Sequence, residues 1–211
     1  MTELFSYPTK LFQLEMELSK SGYSFIAGID EVGRGALAGP VVAAAVILDP
    51  QTCSITKKIK DSKKLSPEIR EELSDILHNE AVAVGIGLIH HDIIDEINIL
   101  QATFKAMLMA LEKLGRTPDV CLIDGNQKIP STIKQMCIIK GDDRVTSIGA
   151  ASIVAKVFRD RWMKDAASQY PQYRFDKNKG YGSKEHVEAI QINGYTQIHR
   201  RSFSIKSLIE K

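Results

Sequence analysis

Gly28-Ile29-Asp30-Glu31-Val32-Gly33-Arg34-Gly35-Ala36-Leu37-Ala38-Gly39-Pro40 is the stretch on which the reading of this chain turns. An apolar run, Phe25-Ile26-Ala27, feeds two adjacent acids, and a glycine-rich loop with one arginine follows at once. Buried acids are costly unless they are paired or bound to a cation. Glycines let a ligand or a second backbone come close. The combination points to a metal-loaded site that accepts a phosphate-bearing substrate. The bland alternative is a surface strand end with a flexible turn.

Outward from this stretch, residues 24–29 read as a first strand and 41–48 as a second, with Pro40 at its opening, where proline is tolerated. Residues 8–20 carry Leu11, Phe12, Leu14, Met16 and Leu18 in a short amphipathic helical pattern. Ser66-Pro67-Glu68 is a helix start, serine cap then proline, for a helix running to about 79. Residues 81–88 predict a third strand. Ile93, Ile94, Ile97, Leu100, Phe104, Met107, Leu108 and Leu111 recur at helical spacing and predict one long helix over 92–114, closed by Gly115. Short apolar runs at 120–123 and 136–139 predict two more strands. Helices are expected over 146–169 and from near Ser183. Strands come first in a run and then alternate with helices. The expected fold is an α/β mixed sheet, with antiparallel first strands and parallel additions, flanked by helices. With 211 residues, a single domain over 1–211 is expected, with a helical C-terminal extension from about 170.

The 44% hydrophobic content is that of a soluble globular protein. Cys53, Cys121 and Cys137 are an odd number without CxxC spacing, so they read as reduced and structural, and zinc is not expected. The opening Met1-Thr2-Glu3-Leu4-Phe5 has an early acid and no apolar h-region, and no run approaches a membrane span, so a cytoplasmic protein is expected. Net charge is only +2, but the cations cluster. Lys57, Lys58, Lys60, Lys63 and Lys64 form one group, and Lys156, Arg159, Arg161 and Lys164 a second. Arg174, Lys177, Lys179 and Lys184 form a third, and Arg200, Arg201 and Lys206 a fourth. Clusters on a nearly neutral chain fit a polyanion-binding face.

Asp30, Asp124 and Asp142 each follow an apolar strand and sit by a glycine. Ligands collect at strand ends in open sheets, so neighbouring strands would bring the three together, with Glu31 as a fourth acid. Successive strand residues point to opposite faces. Asp30 and Glu31 are therefore expected to share a site only if the strand ends or bends at Glu31. Four carboxylates cannot all ionise close together without balancing cations. All-oxygen ligands select hard ions such as Mg²⁺ or Mn²⁺. Two such ions can clamp the attacking and leaving oxygens of a phosphodiester.

Taken in order and spacing, the motifs resemble those of bacterial type 2 ribonuclease H, the ribonuclease HII family, from Gly28 to Phe203. The stretch 28–35 is similar to that family's opening acid pair and glycine-arginine-glycine loop. Asp61-Ser62-Lys63-Lys64-Leu65 is similar to its lysine loop. Leu122-Ile123-Asp124-Gly125-Asn126 and Lys140-Gly141-Asp142 carry the third and fourth acids. Residues 150–157 with Arg159-Asp160, residues 180–186, and His199-Arg200-Arg201-Ser202-Phe203 match its later elements. Gly149 departs from the pattern, which more often has alanine there, and would loosen its helix locally.

The resemblance implies a ribonuclease H-like fold. It also implies a metal-dependent endonuclease that cuts the RNA strand of RNA–DNA hybrids and cuts 5′ to single ribonucleotides in duplex DNA, leaving 5′-phosphate and 3′-hydroxyl ends. Asp30, Glu31, Asp124 and Asp142 would be the catalytic metal ligands, with two Mn²⁺ or Mg²⁺ ions as cofactors. Gly33, Arg34 and Gly35 would sense the 2′-OH, which distinguishes RNA from DNA. Tyr181 would stack on the sugar after the ribonucleotide. Lys63, Lys64 and Lys156 are phosphate-contact candidates, and Ser152 is a brace or cap of the site. His186 and His199 are expected to be structural. Partners would be the nucleic-acid duplexes, with no membrane, and the chain is expected to be a monomer.

Two other classes compete, beside an integrase- or resolvase-type nuclease that would share the same metal chemistry and from which the glycine-arginine-glycine loop and Tyr181 separate this reading. Gly33-x-Gly35-x-x-x-Gly39 resembles a dinucleotide-binding fingerprint, but that motif must open a helix, and here Pro40-Val41-Val42 read as strand. A non-catalytic nucleic-acid-binding module would use the basic clusters equally well, but gives no reason for acids at strand ends.

Overall fold

The computed structural model of the chain describes residues 12–49, 59 and 66–204. Five strands form one sheet: β1 Ile26–Val32, β2 Val41–Ile47, β3 Ala83–Ile89, β4 Val120–Asp124 and β5 Lys134–Ile138. Their order across the sheet is β3-β2-β1-β4-β5. β1 and β2 pair antiparallel, as do β2 and β3, whereas β4 adds parallel to β1 and β5 parallel to β4. This is the expected mixed sheet. The loop 33–40 joins two antiparallel strands and opens no helix, which removes the dinucleotide-fingerprint reading.

The helices are α1 Gln13–Lys20, α2 Pro67–Glu80, α3 His91–Glu112, α4 Thr146–Gln169, α5 Phe175–Asn178 and α6 Lys184–Asn193. Alternation along the strands sorts the core into two layers. Ala27, Ile29, Val41, Ala43 and Ala45 pack with Ala102, Ala106 and Ala110 of α3 on one face. Val42, Ala44 and Val46 pack with Ala150, Ala151 and Val154 of α4 and Leu73 and Leu77 of α2 on the other. Small residues on both sides of each contact let helix and sheet approach closely. Ser66 caps α2 through its hydroxyl on the Ile69 N–H (3.4 Å), and Ser183 caps α6 on the His186 N–H (3.3 Å). Both starts were legible from the cap residues.

Three expectations need correction. First, β1 does not stop at the acids: pairing continues through Asp30–Ala44, Glu31–Ala43 and Val32–Val42. Second, the long helix is broken at Asn98, whose backbone sits at φ 68°, ψ 164°. Its Oδ1 accepts from the N–H groups of Leu100 (3.0 Å) and Gln101 (3.1 Å), so the side chain restarts the helix it interrupts. Third, β5 ends at Ile138, and Asp142 lies in a separate 3-10 turn, Gly141–Asp143, entered through Lys140 at φ 55°. The helical C-terminal segment is present as the 3-10 turn Pro171–Tyr173, α5 and α6.

Candidate active site at the carboxyl ends of β1 and β4

Ile29 of β1 is level with Ile123 of β4, so Asp30 and Asp124 follow side by side at neighbouring strand positions. Asp30 is 6% exposed, on the face covered by α4. Its Oδ1 accepts the Glu31 N–H at 2.7 Å, and the Ser152 hydroxyl of α4 also bonds to its carboxylate. Burial pushes the Asp30 carboxyl up to about 8; the Ser152 bond opposes that, while Glu31 and Asp124 add to it. Glu31 leaves from the opposite face. Its carboxyl is also raised, by burial and by Asp124, while Arg34 lowers it. The Arg34 Nη1–Glu31 Oε1 pair is 3.1 Å long, so this arginine is ion-paired beside Glu31.

Asp124 organises the turn that carries Asp142. Its Oδ1 accepts the Gly141 N–H at 2.7 Å, and the N–H groups of Asp142 and Gly125 also bond to it. Burial, and after it Asp142, raises its pKa. Asp30, Glu31 and Asp124 are thus electrostatically coupled, and Asp142 joins them through Asp124. A cleft of about 120 Å³ is lined by Glu31, Arg34 and Asp124 on one side and Leu100, Thr103 and Phe104 of α3 on the other. The break at Asn98 places the start of the second half of α3 at this cleft.

The acids do not already form a cage: among the described residues, no three His, Cys, Asp or Glu side chains are grouped to hold an ion. Each carboxylate has turned to a local donor instead, Asp30 to Ser152 and the Glu31 N–H, Glu31 to Arg34, and Asp124 to Gly141. The donor set nevertheless fits a hard divalent cation. It is all oxygen, and Asp30 is a buried carboxyl whose ionisation is opposed by two further acids.

Gly149 lies where α4 meets the Asp142 turn. A Cβ there would stand 3.0 Å from the Asp142 carbonyl oxygen and 2.9 Å from Ile59 Cγ2. The glycine thus serves a close approach rather than loosening the helix.

The 33–40 loop and the turn before Tyr181 are arranged around two arginines that the sequence placed with surface cations. Arg159 and Arg200 are 0% and 1% exposed. Arg200 donates from Nη2 to the Gly33 carbonyl (2.7 Å), from Nη1 to Arg34 (2.9 Å) and from Nε to Gly39 (3.0 Å). Arg159 donates from Nε to Pro40 (2.9 Å), from Nη2 to Ala38 (3.1 Å) and from Nη1 to Lys179 (2.8 Å). Burial and the neighbouring Arg159 bring the Arg200 pKa down to about 9, which leaves it charged at neutral pH. Gly33 has φ +87°, and a Cβ on it would sit 2.2 Å from Arg159 Nε, so no other residue fits there.

Tyr181 is 38% exposed, and its ring centroid lies 5.4 Å from the Arg159 guanidinium carbon. Behind it, Tyr181 O accepts from His186 Nδ1 (2.9 Å), which leaves His186 Nε2 to accept from His199 Nε2 (3.0 Å). His199 Nδ1 then accepts from the Thr196 N–H (2.8 Å). Burial holds both imidazoles below their ordinary range, His199 at about 3, so both are neutral, satisfied and structural. Lys156 pairs with Asp160 along α4 at 2.6 Å. Lys63 and Lys64 lie outside the described residues. His90 caps α3 by position and Asp92 sits in its first turn, so the His90-His91-Asp92 run marks a strand-to-helix turn. Among the described residues, no helix is long and apolar enough to cross a membrane.

The family model for ribonuclease HII matches residues 27–206. The ribonuclease HII of Bacillus mycoides (strain KBAB4) is 51% identical over 203 residues, 96% of this chain and 78% of that one. Among solved structures, the ribonuclease H2 from Pyrococcus horikoshii OT3 superposes with a TM-score of 0.73 at 26% identity, over 89% of this chain and 97% of that one. Bst-RNase HIII in complex with Mn²⁺ shares the fold with a TM-score of 0.65 at 20% identity, over 85% and 67%. With coupled carboxylates at the ends of β1 and β4 and a match over 180 consecutive positions (27–206), the chain belongs to the ribonuclease HII family and is a metal-dependent endonuclease of the ribonuclease H class.

Proposed function

We propose that this chain hydrolyses the RNA strand of RNA–DNA hybrids and cuts on the 5′ side of single ribonucleotides embedded in duplex DNA. The observation that carries the reading is the placement of three coupled carboxylates, Asp30, Glu31 and Asp124, next to a loop whose backbone is pinned from behind by two buried arginines. Asp30, Glu31, Asp124 and Asp142 would hold two divalent ions, Mg²⁺ or Mn²⁺, which supply positive charge for the attacking and leaving oxygens of a phosphodiester displacement.

The rest is done by the chain. Ser152 fixes the Asp30 carboxylate, and Asp124 draws the Asp142 turn to the site through the Gly141 N–H. Arg34, half exposed, is the cation that meets a phosphate drawn into the cleft. Gly33 and Gly35 leave room for backbone N–H groups to reach a 2′-OH. Tyr181 stacks on the next sugar, where deoxyribose fits and a 2′-OH crowds. Lys63, Lys64 and Lys156 contact phosphates, which position the duplex without reading its sequence. The chain acts as one catalytic domain over 1–211, as a cytoplasmic monomer.

The test is cleavage of a DNA duplex containing one ribonucleotide, with Mg²⁺, with Mn²⁺ and with EDTA, using Asp124→Asn as control. A metal-dependent cut on the 5′ side, lost in the variant, is expected. Cutting of long hybrids alone would reject the junction-sensing roles of the loop and Tyr181. No cutting of either would reject the reading.

A further inference from the structure

Arg159 and Arg200 touch none of the reacting groups described so far, yet they are the two largest fully buried side chains among the described residues. Neither takes part in an ion pair among the described residues. A buried charge with no counter-ion is costly even when hydrogen-bonded, so fold stability alone is a poor account of two like charges side by side. Their hydrogen bonds suggest a better one.

Arg200 closes the 33–39 loop as a pin, taking carbonyls from both of its ends, Gly33 and Arg34 at one and Gly39 at the other. Its own N–H also donates to the Leu37 carbonyl at 2.9 Å. In a trans peptide the C=O of one residue and the N–H of the next point in opposite directions. With the Gly33 and Arg34 carbonyls turned inward onto Arg200, the N–H groups of Arg34 and Gly35 are turned outward. Both residues are exposed, and among the described residues neither N–H has a hydrogen-bond partner. Arg159 ties this loop to the second recognition element. It bonds to Ala38 and Pro40 on the loop and to Lys179 on the turn before Tyr181, and it lies under the Tyr181 ring. The Gly180 carbonyl completes the link by accepting from the N–H groups of Leu37 (2.8 Å) and Ala38 (3.3 Å).

We infer that Arg200 and Arg159 are positioning residues for ribonucleotide recognition: they lock the 33–40 loop and the Tyr181 turn into one unit, with the Arg34 and Gly35 N–H groups fixed outward at a set distance from the Tyr181 ring. The inference rests on the proposed sugar-sensing role of that loop. Only a guanidinium serves, because its planar fork directs three bonds at once while a lysine ammonium is a mobile point charge.

The experiment compares wild type, Arg200→Lys, Arg159→Lys and Gly35→Pro, the last of which deletes one outward N–H. Each is assayed for kcat and KM on a DNA duplex with one ribonucleotide and on a long RNA–DNA hybrid. Relative to wild type, both lysine variants are expected to lose roughly tenfold or more of kcat/KM on the single ribonucleotide, mostly through KM, with a smaller loss on the hybrid. Gly35→Pro is expected to show the same skew. If Gly35→Pro loses the wild-type substrate preference and the folded lysine variants keep it, the positioning role is wrong while the sugar-sensing reading stands. If Gly35→Pro itself keeps the preference, the sugar-sensing reading falls and the inference with it. A wild-type measurement covers the case in which the lysine variants do not fold. Backbone order parameters of the Arg34 and Gly35 amides are expected near the rigid value of about 0.85, despite their exposure, and values below about 0.6 would overturn the clamp.

Discussion

The two clusters of buried charge that flank the 33–40 loop have opposite signs and are stabilised differently. On one side Arg159 and Arg200 are hydrogen-bonded through every guanidinium nitrogen, each donating to three backbone carbonyls. On the other, Asp30, Glu31 and Asp124 have local donors but repel one another, and burial raises the pKa of all three. Burial of charge is tolerated where hydrogen bonds complete it. Where they do not, the strain is relieved by a ligand of opposite sign. The first cluster is therefore finished architecture, and the second is the candidate site.

The largest effect should come from the unfinished cluster. Asp124→Asn is expected to reduce turnover by at least about 10³-fold, comparable to or beyond loss of a key electrostatic group, while circular dichroism and Tm show an intact fold. Removal of one like charge leaves the ion-free stability unchanged or higher. Near-normal turnover in this variant would erase the distinction between the clusters. The finished cluster should respond the opposite way. Arg159→Met leaves the carbonyls of Ala38, Pro40 and Lys179 without their donor, and a loss of about 3 kcal/mol or more is expected from urea unfolding. Tyr181→Ala, between the two, is expected to lose about tenfold on single ribonucleotides and less on long hybrids, the scale of one stacking contact. Equal losses on both substrates would remove its proposed sugar-sensing role.

The clusters also differ in pH response. Asp30, raised from 3.8 to about 8, is protonated in the fold where the unfolded chain is ionised. Its contribution to ion-free stability is complete below 3.8 and is lost as pH rises through 8. His199, lowered from 6.5 to about 3, is neutral in the fold where the unfolded chain takes up a proton. Its contribution is complete above 6.5 and is lost as pH falls toward 3. Each slope is at most about 1.4 kcal/mol per pH unit. Urea unfolding in EDTA should show Asp30→Asn flattening the alkaline limb and His199→Gln the acid limb. The smallest effect expected is that of Gly149→Ala. The gain in helix propensity, about 1 kcal/mol, offsets the crowding against Ile59 and the Asp142 carbonyl. Tm should change little, while turnover falls several-fold as the Asp142 turn moves.

Much of this was legible in the chain. The Ser66-Pro67 start opened α2 at Pro67, and the 146–169 pattern became α4 with the same bounds. The acids at the ends of β1 and β4 were readable because each follows an apolar run. The helix break at Asn98 was not, because the apolar spacing continues on both sides of it. Nor was the meeting of Asp30 and Glu31 around Asp124. It was expected to need a bend in β1, but β1 runs straight through and coupling through the neighbouring strand end serves instead.

By itself the sequence determined the local elements, the order of strands and helices, and which acids and glycines stand at turns, since these depend on residues a few positions apart. Tertiary structure alone decided the fate of the cations. Arg159 and Arg200 read as members of basic clusters, and each bonds carbonyls of the 38–40 and 33–39 segments that are 119 and 121 residues away for Arg159 and 161 to 167 for Arg200. A guanidinium carries no local sign of whether water, phosphate or backbone will fill its donors. Only packing of α4 and the segment after α6 against the loop removes the water and leaves the carbonyls as partners.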